Sequence, residues 1–195
     1  MNQDIGRAIV FSMPVVSAAV SLILISLDTT RSSNTVDRKI HYNMIAVYCL
    51  MILFWSGLVM HSIARDTFIA YLPVFFSSFA FIPVFLYRIT HIITDTGERK
   101  LFPACHFILP ACLTLIICAI ALAVPLRQRW AAIYDNEVNL TSAIIDITFI
   151  VCILLCILYS WLSLLRIKSY KRKIIDYSAD IYRMSLDWLS FIILF

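Results

Sequence analysis

The stretch that decides the fold is ITFIVCILLCILYSWLSLL, from Ile147 to Leu165, and the basic segment RIKSYKRK follows it at residues 166–173. The stretch contains no charged side chain. A helix needs about 20 mainly apolar residues to cross about 30 Å of hydrocarbon, because each residue advances about 1.5 Å. The stretch from Ile147 to Leu165 therefore predicts a transmembrane helix, and the basic segment after it predicts the point where the chain leaves the membrane.

Four similar apolar runs precede this one. They extend from Ala8 to Leu27, from Tyr42 to Met60, from Thr67 to Tyr87 and from Phe102 to Leu126. Charged residues make up only 14% of the chain, against roughly 25% in an average soluble domain. The sequence therefore predicts an all-α, polytopic transmembrane helical bundle with five complete helices.

A sixth apolar segment opens at Trp188 and reaches only to Phe195. A chain terminus inside hydrocarbon would leave a carboxylate without solvent. We therefore expect residues 188–195 to begin a truncated sixth transmembrane helix, and the sequence to be a fragment of a longer protein. Residues 1–165 then form the transmembrane domain, and residues 166–187 form a basic linker.

The arginines and lysines between the runs fall mostly on alternate loops. If the N-terminus lies outside, twelve of the 16 lie on interior segments and only four on exterior segments. The exterior four are Arg7, Arg65, Arg127 and Arg129. Interior loops of membrane proteins carry an excess of positive charge. We therefore predict a multi-pass protein of the cytoplasmic (inner) membrane, with an exterior N-terminus and a cytoplasmic linker.

The sequence carries no catalytic signature. HExxH, GxSxG, GxxxxGK[ST] and GxGxxG are all missing from it. The six cysteines lie in or at the ends of apolar runs, where cysteine commonly packs as a small apolar residue. The four histidines lie at helix ends, and His91 and His106 flank one loop and could meet there. We predict a non-catalytic protein without a metal site or a cofactor.

Polar residues on the exterior side suggest a ligand site. An ionised side chain at membrane depth is costly, so Asp146 should pair with a cation or face water. The candidate ligand-binding residues are Arg65, Arg127, Arg129, Trp130 and Asp146. The alternative for Asp146 is a position just outside the hydrocarbon, in water.

The segments LYR at 86–88 and HFILP at 106–110, with Gly97 in the charged turn between them, resemble bacterial multi-helix sensor regions. They are similar to the N-terminal membrane domains of AraC-type transcriptional regulators, as is MSLDWL at 184–189, although Asp187 departs from the usual arginine. The resemblance covers about residues 81–194. It implies a membrane sensor domain for signal transduction, followed in the whole protein by a cytoplasmic DNA-binding part that is missing here. Similar regions also precede histidine kinases.

Two other functions stay open. A small transporter or channel subunit is less favoured, because the chain has few intramembrane charges, few glycines and no sign of two equivalent halves. An integral membrane enzyme is less favoured still. The expected partners are the lipid bilayer, an unidentified extracytoplasmic ligand and, in a homodimer through the membrane region, a second copy. No nucleic-acid contact is expected within these residues.

Overall fold

The structure is a computed structural model that describes residues 2–31, 35–94, 102–135 and 139–177. All regular elements in these ranges are helical, which confirms the predicted all-α bundle. The helices are α1 (Asn2–Arg31), α2 (Thr35–Ile63), α3 (Arg65–Ile93), α4 (Ile108–Ala123), α5 (Leu126–Tyr134) and α6 (Leu140–Tyr177), and a 3₁₀ turn (Ala104–Phe107) leads into α4. The predicted sixth segment, residues 188–195, and residues 178–187 of the predicted linker lie outside the described residues.

Five of the described helical segments are long and apolar enough to cross a membrane. They are Asp4–Arg31, Val36–Ile63, Arg65–Ile93, Ala104–Ala123 and Leu140–Arg172. Four of the five predicted runs lie wholly within these spans. The fourth run, Phe102–Leu126, extends beyond its span at both ends. The chain is a multi-pass membrane protein.

Successive spans run in opposite directions. In the α1–α2 pair, the Phe11 ring lies 6.1 Å from the Trp55 ring, and the His41 Nε2 atom lies 3.4 Å from the Asp28 Oδ2 atom. The α2–α3 turn, α5 and the start of α6 lie at one end of the bundle, which we call the Tyr134 end. The end of α3 and the 3₁₀ turn lie at the other, which we call the His106 end.

Helix α3 is the centre of the bundle, and it packs against α2, α4, α5 and α6. Its Phe75 and Phe76 side chains are buried in the core, together with Val84. Gly57 lets α2 approach this core closely, because a Cβ atom there would lie only 2.6 Å from the Phe75 Cδ2 atom. Such small-residue contacts are typical of helix packing in membranes.

The fourth apolar run ends earlier than the sequence predicts. Helix α4 stops at Ala123, and Pro125 then serves as the N-cap of the short helix α5. The apolar runs predict only an exterior segment between Leu126 and Ile147, because the nine residues of α5 are polar on average. Proline favours this arrangement, because it cannot extend α4 but is well suited to a helix start.

Helix α6 is a single helix of 38 residues from Leu140 to Tyr177. Asn139 caps its start, because the Ser142 N–H donates to the Asn139 Oδ1 atom at 2.9 Å. At about 1.5 Å per residue the helix is about 57 Å long, well beyond the hydrocarbon thickness. It therefore continues through the basic segment, past the domain boundary predicted at Leu165.

Candidate functional site

An aromatic and cationic cluster lies at the Tyr134 end. Its centre is the Tyr134 ring on α5, which lies 4.7 Å from the Trp130 ring and 5.5 Å from the His61 ring. The Arg65 guanidinium carbon lies 5.2 Å from the Tyr134 ring centroid, and the Phe68 ring packs edge-on to His61 at 5.0 Å. We call these five residues the Tyr134 cluster. It joins α2, α3 and α5 in one contact surface.

The Tyr134 side chain presents a neutral ring to Arg65. Burial raises the pKa of Tyr134, the Arg65 guanidinium opposes that rise, and the Asp66 carboxylate adds to it. A phenol with a raised pKa stays protonated at physiological pH. A cation over such a ring face contributes about 0.5–1 kcal/mol at an exposed site. The Tyr134 hydroxyl is buried without a hydrogen-bond partner among the described residues.

Arg129 on α5 is a buried cation, with 6% of its surface exposed. Its Nε–H donates to the Val124 carbonyl at 3.1 Å, and its Nη1–H donates to the Ile69 carbonyl at 3.1 Å. Pro73 explains the second bond, because a proline has no N–H to offer the carbonyl four residues earlier. Arg129 thus supplies the hydrogen bond that Pro73 cannot make in α3, and it also binds the C-terminus of α4.

The structure brings together part of the predicted ligand site. Arg65 and Trp130 both contact the Tyr134 ring, while Arg129 is engaged by backbone carbonyls. Arg127 is exposed on α5. The cluster also contains Tyr134, His61 and Phe68, which are not among the predicted ligand-binding residues. The ligand site itself stays a prediction.

Asp146 lies apart from this group, on the exposed side of α6. Its neighbour Ile145 and the next-turn residue Thr148 are buried, whereas Asp146 and Ile150 are exposed. Asp146 and Arg166 are 20 residues apart, which is about 30 Å along a helix and matches the hydrocarbon thickness. This spacing favours the alternative interpretation of Asp146, as a residue at the membrane boundary in contact with water.

A second cluster lies at the His106 end, around the 3₁₀ turn. The Tyr159 hydroxyl on α6 lies 3.1 Å from the His106 Nδ1 atom and donates to the His106 carbonyl at 3.3 Å. Pro110 leaves that carbonyl without its usual helical donor. The Tyr87 ring lies 5.4 Å from the His106 ring and 5.6 Å from the Tyr159 ring. We call Tyr87, Phe102, His106 and Tyr159 the His106 cluster.

His91 and His106, which the sequence suggested could meet, approach the same aromatic ring. The Phe102 ring lies 5.6 Å from His91 and 5.0 Å from His106. Arg88 lies above the same ring, with its guanidinium carbon 5.9 Å from the centroid. The two histidines are therefore linked through an aromatic contact.

Helices α3 and α6 are also joined where the basic segment begins. The Arg166 Nε–H donates to the Thr94 Oγ1 atom at 2.7 Å, and the Thr94 hydroxyl donates to the Thr90 carbonyl at 2.7 Å. Ile167, the next residue of α6, is buried and packs against Ile93 of α3. Beyond this junction Lys168, Ser169 and Arg172 are exposed. The first basic residue is therefore fixed to α3, and those that follow lie on the surface.

Among the residues that the structure describes, no three His, Cys, Asp or Glu side chains are grouped so that they could hold a metal ion. Cys152 is fully buried in the core between the helices. Two carbonyls that a proline leaves without a helical donor, those of Ile69 and His106, are bound by side chains from distant elements. A search of protein-family profiles, curated proteins and solved structures found no match to this chain.

Proposed function

We propose that this chain is a non-catalytic membrane sensor domain that transmits a signal from the Tyr134 end to the basic end of α6. The Tyr134 end faces the exterior, and the His106 end faces the cytoplasm across the inner membrane. The ligand is an extracytoplasmic molecule that contacts Arg65, Trp130 and Tyr134. A ligand acts on such a domain only through different affinities for two arrangements of its helices.

The observation that carries this proposal is the continuity of α6. One helix runs from Leu140, beside α5, through the basic segment at residues 166–173 and ends at Tyr177. The described helix contains neither proline nor glycine, which are the usual causes of a kink. A displacement at its first turns can therefore reach the Arg166–Thr94 junction as a movement of one rigid body.

The orientation is supported by the distribution of charge. Three cations lie in α6 beyond its apolar part, namely Lys168, Lys171 and Arg172. Arg38 and Lys39 lie in the first turns of α2, at the same end of the bundle. The positive-inside rule assigns such an end to the cytoplasm. The same orientation is implied by the resemblance to AraC-type regulators. The whole protein would then control transcription or, in the alternative, act through a histidine kinase domain.

The test compares two arginine variants of α5 in lipid nanodiscs. Arg129→Ala removes both backbone hydrogen bonds and so weakens the attachment of α5 to α3. Coupling between distant sites is commonly worth 0.5–2 kcal/mol, so we expect amide hydrogen exchange in residues 166–177 to become about threefold faster. The measurement is hydrogen exchange by mass spectrometry, resolved by peptide.

Arg127→Ala is the matched control, because it removes the same charge two residues away from an exposed position. It should leave exchange in residues 166–177 unchanged. A change in the Arg129→Ala variant that stays within residues 65–75 and 124–135 would contradict transmission along α6. In that case Arg129 would be a local structural residue.

A further inference from the structure

Arg88, on α3 near the His106 end, is a partly buried cation without a hydrogen-bond acceptor. Three arginines of the described residues are at least partly buried, namely Arg88, Arg129 and Arg166. Arg129 donates to two backbone carbonyls, and Arg166 donates to the Thr94 hydroxyl. Within the described ranges, Arg88 donates no hydrogen bond and forms no ion pair. Its N–H donors are therefore available to an anion.

Two aromatic rings hold the Arg88 guanidinium in place. Its central carbon lies 5.9 Å from the Phe102 ring centroid and 5.8 Å from the Phe107 ring centroid. A cation is attracted to such rings, and it keeps its charge. A partly buried charge is stabilised when an opposite charge also pairs with it. Arg88 is thus a positioned cation whose anion is not among the described side chains.

A strip of phenylalanine rings lies next to Arg88, toward the middle of the span. Positions 81, 85 and 88 repeat at helical spacing and so share one face of α3. The Phe81 and Phe85 rings lie 6.4 Å and 5.5 Å from the Phe107 ring, and all three rings are partly exposed. Phe81 is about 10 Å from Arg88 along the helix. We call Phe81, Phe85, Arg88, Phe102 and Phe107 the Arg88 face.

Arg88 lies at the depth of lipid headgroups. It follows Arg65, at the start of α3, by 23 residues, which is about 35 Å along a helix. The hydrocarbon core is about 30 Å thick, so Phe81 and Phe85 lie within it and Arg88 lies at its edge. A phospholipid has the same order of parts, with a phosphate above its acyl chains. Arginine binds phosphate through charge-assisted hydrogen bonds.

We propose that the Arg88 face binds one anionic phospholipid, with the Arg88 guanidinium on its phosphate and one acyl chain against Phe81 and Phe85. A choline headgroup is less suitable, because its positive charge would lie close to Arg88. The site is separate from the Tyr134 cluster, and it does not depend on the proposed sensor function. The competing partners for Arg88 are Asp95 and Glu98, the carboxylates that follow α3 in the sequence.

The experiment is photolabelling in phosphatidylcholine nanodiscs with two lipid probes that carry the same diazirine in one acyl chain. One probe has a phosphatidylglycerol headgroup and the other a phosphatidylcholine headgroup. Mass spectrometry of peptides locates the labels, and labelling of the exposed face of α1 is the internal reference. A cation near the headgroup contributes about 1 kcal/mol of attraction to an anionic lipid. We therefore expect the phosphatidylglycerol probe to label residues 81–88 and 102–109 about fivefold more than the other probe.

Arg88→Met keeps an apolar side chain but removes the charge, and it should abolish this preference. Arg172→Met is the matched control, because it removes the same charge from an exposed position at the same end, and it should leave the preference intact. Equal labelling by the two probes would overturn the proposal, and so would a preference that survives Arg88→Met. Should Arg88→Met fail to insert, the comparison of the two probes on the native protein still decides.

A double variant, Asp95→Asn with Glu98→Gln, separates the lipid from the competing carboxylates. The preference for phosphatidylglycerol should be the same in this variant as in the native protein. A preference that appears only in the double variant would show that a carboxylate of the chain occupies Arg88, and it would contradict the proposal.

Discussion

At the scale of single residues, Pro73 and Pro110 each remove a backbone donor, and a side chain from another helix replaces it. Arg129 donates to the Ile69 carbonyl, and Tyr159 donates to the His106 carbonyl. A buried carbonyl without a donor costs about 1–3 kcal/mol. These two side chains therefore make the prolines compatible with a packed bundle, and they also tie α5 and α6 to the helices that contain the prolines.

Tyr159→Phe should lower the thermal stability of the protein. The variant keeps the ring but removes the hydroxyl that donates to the His106 carbonyl and contacts the His106 Nδ1 atom. We expect a loss of about 1–2 kcal/mol, which is a fall in Tm of roughly 2–8 °C for a chain of this size. Unfolding in detergent, followed by circular dichroism, measures it. Tyr42→Phe, at an exposed ring, is the control, and equal Tm values for both variants would contradict the role of Tyr159.

The sequence predicts which carbonyls lose their donor but not which side chain replaces it. A proline at position i leaves the carbonyl at i−4 free, and this follows from the covalent structure alone. Its new partner is 60 residues away for Ile69 and 53 residues away for the His106 carbonyl. Such pairs depend on tertiary packing. For this reason the sequence predicts a ligand-binding role for Arg129 and carries no signal for the contact of Tyr159.

At the scale of elements, α5 is the part of the fold that the sequence missed. It is nine residues long, and its buried contact comes from a charged side chain, Arg129. The usual signal of a packed helix is an apolar stripe over several turns, whereas the stripe of α5 spans only about two turns, with Leu126, Trp130, Ile133 and Tyr134. The five long runs predicted α1, α2, α3, α4 and α6, because a helix of about 20 consecutive apolar residues matches the thickness of the hydrocarbon core.

The link between α5 and α3 can be tested by a double-mutant cycle. Pro73→Ala restores an N–H that can donate to the Ile69 carbonyl, which makes one of the two Arg129 bonds redundant. Arg129→Ala should therefore cost about 1 kcal/mol less in the Pro73→Ala background than in the wild type. Thermal unfolding of the four proteins in detergent gives the coupling energy.

Pro83→Ala provides the matched control for this cycle. Pro83 lies on the same helix, and the described contacts of Arg129 do not involve it or the Phe79 carbonyl four residues before it. The effects of Pro83→Ala and Arg129→Ala should therefore add. Additive effects of Pro73→Ala and Arg129→Ala would show that the 3.1 Å contact does not stabilise α3 at Pro73.

At the scale of the whole molecule, the two clusters lie at opposite ends of the bundle, and α6 connects them. The Tyr134 cluster includes Arg65 and lies beside the start of α6, while Arg166 and the basic segment lie at the other end. Positive charge is concentrated beyond the His106 end. The count of spans and this asymmetry were predictable from the sequence, since both depend on composition along the chain. The contacts within each cluster were not.

The proposed sensor requires α5 and the basic segment of α6 to lie on opposite sides of the membrane, and side-specific thiol labelling tests this most directly. Gln128→Cys on α5 and Ser169→Cys on α6 place thiols at exposed positions, and the native protein gives the background of its six cysteines. In intact cells, a membrane-impermeant maleimide should label Gln128→Cys at once and Ser169→Cys only after permeabilisation. Labelling of both thiols from the same side would contradict the five-span bundle and the transmission along α6.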